Sequence, residues 1–95
     1  VRWMSLKKFD PADLLEDEEE IEGYLQDAFE TNDPAFIADA LGVVSRAKGM
    51  TKVSEDTGLG RASLYKSLDK NGNPEFQTIL KVISSLGYKI NISHQ

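Results

Sequence analysis

The side chains best suited to chemistry lie in two short runs, Thr51-Lys52 and Arg61 to Lys66. They are donors and cations, and the chemistry they suit is recognition of a polyanion. Arg61 carries a planar guanidinium fork that matches the two acceptors on the major-groove edge of guanine. Ala62, Ser63 and Lys66 share the same short segment and can meet bases or phosphates, with Tyr65 beside the sugar-phosphate backbone. Thr51, at a helix start, and Lys52 suit a phosphate, because an oriented backbone dipole and a cation both favour an anion.

These residues act together only if two helices hold them at a fixed angle, and TKVSEDTGLGRASLYKSL has the required spacing. A helix-turn-helix needs an inward apolar residue and a small one on its first helix, a turn residue tolerant of positive φ, and apolar anchors on its second. Val53, Ser54, Gly58, Leu59 and Leu64 supply these in order. The competing assignment is a plain helical hairpin in a small bundle, with Lys52, Lys66 and Lys70 as solvated surface.

Other chemistry is poorly served. The chain has no cysteine and one histidine, His94, in a solvated C-terminal tail. It has no phosphate-binding glycine loop and no carboxylate pair that its spacing brings together, so an enzyme is the least expected class and no cofactor is implied. The acidic run Glu16 to Glu20 invites a metal, but adjacent helical positions point in different directions, and no metal site is expected.

The elements around the motif follow from local signals. Asp10-Pro11 opens a first helix, with Phe9 packing on Leu14 as a staple. Asp17 and Glu20 start EEEIEGYLQDAFE, striped by Ile21, Tyr24, Leu25, Ala28 and Phe29. Asp33-Pro34 starts the next, striped by Phe36, Ile37, Ala40, Leu41, Val44 and Ala47 and ended by Gly49. Thr51 caps a short helix closed by Gly58, and another runs from Arg61 to Leu68 with Leu64 and Leu68 inward. Asn73-Pro74 opens the last, carrying Phe76, Ile79, Leu80, Ile83 and Leu86 and ended by Gly87. Tyr88, Ile90 and Ile92 then alternate with polar residues at the period of a strand, which must pair with a second copy, a partner's sheet edge or an earlier extended segment.

The expected architecture is a single all-α domain over residues 1–95, with about five helices and a short C-terminal β-strand. Residues 1–8 are expected to be flexible, 9–49 to form acidic N-terminal helices, 50–69 the helix-turn-helix, 70–86 the last helix and 87–92 the strand. No apolar run approaches the ~18 residues of a membrane span, so a soluble protein of the cytoplasm is the default.

Charge is divided along the chain. Residues 1–39 hold three basic and twelve acidic side chains, a net of -9, while residues 40–95 hold eight basic and four acidic, a net of +4. The formal total of -5 therefore points to two surfaces with different partners, the alternative being two ordinary solvated helix faces. A single small domain would bind DNA weakly, and a symmetric homodimer spanning half-sites ~34 Å apart is the usual remedy.

Asn32-Asp33-Pro34-Ala35 with IADALG, Ala47 to Thr51, SLYKSL and GNPEFQTILKVISSLG together resemble the addiction-module antidote proteins, HigA-like antitoxins of the Xre/Cro helix-turn-helix class. The resemblance covers about residues 9–92. It implies a bacterial antitoxin with a λ-repressor-like fold that represses its own operon as a dimer and binds a small basic toxin of the RelE/ParE type. By position it makes the helix from Arg61 the recognition helix and Thr51 to Thr57 the supporting one. Two departures stand out. Gly60 lies where a serine or threonine usually caps the recognition helix, and Thr51-Lys52 lie where related repressors often carry a phosphate-contacting glutamine. The alternatives are a stand-alone phage-type regulator and an acidic interaction protein that does not touch DNA.

Overall fold

The structure, a computed structural model, describes residues 10–94. One 3₁₀ turn, Pro11–Leu14, precedes five α-helices: α1 (Glu18–Glu30), α2 (Pro34–Lys48), α3 (Met50–Thr57), α4 (Arg61–Ser67) and α5 (Phe76–Ser85). The fold is all-α, as expected.

Local chemistry sets most boundaries. Asp17 accepts from the Glu20 N–H at 2.8 Å at the start of α1, and Glu20 reaches back to the Glu16 N–H at 2.9 Å. Asp33 caps α2 through the Ala35 N–H at 3.0 Å, with Pro34 in its first turn. Gly49 and Gly58, at φ +110° and +76°, end α2 and α3 in backbone conformations that favour glycine.

α2 is the hub, touching the 3₁₀ turn and every other helix. Leu41, Val44, Val53, Leu64 and Val82 are completely or almost completely buried around it. Each such side chain contributes ~1.5–3 kcal/mol relative to exposure. Gly42 makes the closest approach possible: a Cβ there would run into the Leu68 carbonyl oxygen at the end of α4. The hub thereby fixes the helix that carries Arg61 and Lys66.

Several expectations are corrected. Asp10 caps only a single 3₁₀ turn, accepting from the Ala12 N–H at 3.1 Å, and Leu14 is exposed while Phe9 of the expected staple lies outside the described residues. The expected flexible segment, residues 1–8, also lies outside them. Thr51 does not cap α3; it lies inside the helix, whose cap position is Gly49 without a side-chain hydrogen bond. α5 begins at Phe76, beyond Asn73-Pro74, with Glu75 at its cap position.

Two apolar stripes are also wider on paper than in the core. Phe36 is exposed, standing ~140° around α2 from Leu41. In α5 the buried line runs through Val82, Ile83 and Leu86, with Ile79 half-buried. Phe76 and Leu80 fall on its flank and are exposed, whereas Val82, missing from the expected stripe, is fully buried.

The strand expected over residues 87–92 is not formed. Among the described residues there is no strand, and residues 88–94 run on irregularly after Gly87. The Tyr88 N–H closes back on the Ile83 carbonyl at 3.0 Å, but the backbone N–H groups of Lys89 to Ile92 reach no other described residue. The reason is physical: alternation suits a strand to a neighbour, and within the described residues no extended segment lies alongside to complete a ladder.

Candidate nucleic-acid interface

α3 and α4 pack against each other across a turn at residues 58–60. The turn is built by side chains as well as by glycine. Ser54 donates its hydroxyl to the Leu59 carbonyl at 2.6 Å, and Thr57 donates to the Val53 carbonyl at 2.8 Å while accepting from the Leu59 N–H at 3.2 Å. Gly58 sits in the left-handed region. Val53 on α3 and Leu64 with Leu68 at the end of α4 enter the core and set the angle between the helices.

With Leu64 and Leu68 turned inward and Ser67 half-buried, the other residues of α4 face solvent. Arg61, Ala62, Ser63, Tyr65 and Lys66 are all exposed, Tyr65 at 47%. The four-residue spacing stacks Arg61 with Tyr65 and Ala62 with Lys66 as two adjacent outward rows, with Ser63 beside them. α4 starts at Gly60, in an extended conformation with no side-chain cap, so its first N–H groups lack the hydroxyl partner that a serine or threonine there would give.

Thr51 and Lys52 are also exposed, on the first turn of α3. Lys52 is not an isolated cation: its ammonium donates to Asp56 at 2.8 Å, and Asp56 also accepts from the Ser85 hydroxyl of α5 at 3.1 Å. The Lys52 and Ser85 hydrogen bonds hold the Asp56 carboxyl below its ordinary range. The pair is solvent-exposed and lightly held. A phosphate at Lys52 must therefore compete with a carboxylate one helical turn away.

A second polar cluster, unforeseen from the sequence, lies where α1, α2 and the C-terminal segment meet. Lys48 forms an ion pair with Glu18, donates to the Leu86 carbonyl at 3.1 Å and stands 5.4 Å from the centre of the Tyr88 ring. The Tyr88 hydroxyl donates to Glu18 at 2.8 Å. Burial and that bond to Glu18 push the Tyr88 hydroxyl up to about 12, while Lys48 and Tyr88 hold the Glu18 carboxyl down. Near the other end of the chain Arg46 clamps Asp10 with two hydrogen bonds, 2.8 and 3.1 Å, and this clamp lowers the Asp10 carboxyl. Both clusters brace the fold.

Among the described residues no group of three histidine, cysteine or acidic side chains could hold a metal, and no helix is long and apolar enough to cross a membrane. A family model described as "Probable addiction module antidote protein" matches residues 5–94. The chain belongs to this antidote family. A protein of Haemophilus influenzae strain Rd, described only as an uncharacterized protein, is 39% identical over 87 residues, covering 92% of this chain and 90% of its own. No solved structure matches. Membership in the antidote family supports an antitoxin role in an addiction module, and with it a toxin partner.

Proposed function

We propose that this antidote-family chain is an antitoxin that binds operator DNA through α3 and α4, represses its own operon, and neutralises a small basic toxin of the RelE/ParE type. The observation that carries the reading is the exposed face of α4. A side-chain-locked turn and the anchors Leu64 and Leu68 hold Arg61, Ser63, Tyr65 and Lys66 outward on a rigid element, as a recognition helix in a λ-repressor-like helix-turn-helix requires. Arg61 reads guanine, while Lys66, Lys52 and Thr51 meet phosphate. Binding proceeds as a homodimer in the bacterial cytoplasm, so that two copies of a short seven-residue helix reach successive major grooves.

A gel-shift titration with the chain's own upstream DNA tests the repressor role. Retardation that strengthens or changes with the neighbouring toxin is expected; absence of a shift both with and without the toxin removes the role. A second reading, an acidic interaction protein that leaves DNA alone, is favoured by one feature: Lys52 lies against Asp56, next to the exposed Glu55. Under it, replacing Arg61 and Lys66 by alanine changes no DNA affinity because there is none to change.

A further inference from the structure

α1 and the segment after Gly87 leave between them a groove of about 760 Å³. Its floor is apolar, made by Leu25, Phe29 and Ile83, and its walls carry Glu22, Asp27 and Glu30 against a single cation, Lys89. Three carboxylates to one ammonium make the groove anionic, and an apolar floor inside a charged rim selects an occupant with both properties. The wall beyond Gly87 is held in place at its root, where the Tyr88 hydroxyl bonds Glu18 and Lys48 bonds the Leu86 carbonyl. Past that root the backbone N–H groups of Lys89 to Ile92 have no partner among the described residues, while Ile90 and Ile92 are exposed. Such a wall offers main-chain hydrogen bonds to an extended chain laid beside it.

We propose that this groove is the toxin-docking site, and that its occupant is an extended segment of the toxin with alternating cationic and apolar side chains. The inference rests on the antitoxin reading above. Apolar side chains of the segment sit on Leu25, Phe29 and Ile83, its cations meet Glu22 and Glu30, and its backbone pairs with residues 89–92. The carboxylates that docking uses, Glu22, Asp27 and Glu30, come from α1 and the acidic front half, while the groove's other wall comes from the segment after Gly87. Docking also gives the alternating residues Ile90 and Ile92 a neighbour that the described residues do not supply.

The experiment measures affinity of the full chain for the purified toxin encoded beside it, by calorimetry at two salt concentrations, for wild type and three variants. Glu22→Lys with Glu30→Lys, and separately Ile90→Asp, are expected to weaken binding at least ~10-fold, the charge variant also losing the salt dependence. Glu55→Lys, on α3, is expected to bind as wild type. All these positions are exposed, and unchanged thermal melting of each variant shows that the fold is intact. Wild-type binding that all three variants share overturns the groove while leaving the antitoxin reading in place. Absence of wild-type binding overturns that reading and the groove with it. Groove variants that change the chain's own oligomeric state, and not its toxin affinity, assign the groove to a second copy and overturn the proposal.

Discussion

Single side chains decide which contacts the molecule can make. Under the proposed operator binding, Arg61 offers a planar fork that matches guanine, so Arg61→Ala is expected to lower operator affinity by ~1–3 kcal/mol and to relax specificity at one base position. Asp56 acts in the opposite sense. It sits against Lys52, so under the proposed operator binding Asp56→Asn removes a negative charge beside that cation and is expected to tighten binding and steepen its salt dependence, measured by fluorescence anisotropy across a salt series. Tyr88 sets an alkaline limit on the fold. Its hydroxyl rises from the ordinary 10.0 to about 12 on folding, so its contribution is fully present below about pH 10 and is lost as the pH climbs through about 12. Tyr88→Phe is expected to flatten the fall in thermal stability over that window; an unchanged slope assigns the fall to other groups. Asp10 and Glu18 work at the acid end: their lowered carboxyls contribute fully above their ordinary values, 3.8 and 4.5, and that contribution is lost as the pH falls on through the lowered values.

Elements are held by close approach and by caps, and these differ in how far a sequence shows them. Gly42 lets α2 and the end of α4 touch, and Gly42→Ala is expected to cost ~1–3 kcal/mol in urea denaturation because the added Cβ meets backbone, which cannot swing aside. Ser45 is the reverse case: its buried hydroxyl has no partner among the described residues, so Ser45→Ala is expected to leave stability unchanged or raise it by ~1 kcal/mol. The caps Asp17 and Asp33 and the stops Gly49 and Gly58 were legible because each acts over one turn of chain. The phase of α5 was not: a stripe drawn through Phe76 and Leu80 competes with one through Val82, and only the position of α2 and α3 selects the latter. Thr51 and Asn73-Pro74 carry start signals that neighbouring residues overrode. The pairing of residues 88–92 could not be settled locally at all, since a strand exists only with its neighbour. The outward residues of α4 were legible from the inward pair Leu64 and Leu68. The Glu18–Tyr88 bond was hidden, because it joins residues 70 positions apart.

The whole molecule is acidic, and the proposed operator binding requires it to approach a polyanion. Its formal charge of -5 divides into -9 over residues 1–39 and +4 over residues 40–95, and the proposed operator and toxin surfaces use different helices, α4 for the operator and α1 for the toxin. Long-range repulsion between DNA and the acidic front is screened over ~8 Å at physiological salt, so α4 can approach phosphate with α1 held away from it. The division also gives the toxin a second effect, since a basic protein covering α1 lowers the net negative charge of the complex and should strengthen operator binding without touching α4. The most direct test is the affinity of the purified chain for a duplex of its own upstream sequence and for a scrambled duplex, by anisotropy at one fixed salt concentration, for wild type and Arg61→Ala. The account predicts preference of the wild type for its own sequence and loss of much of that preference in the variant. Equal affinity of both proteins for both duplexes would contradict it.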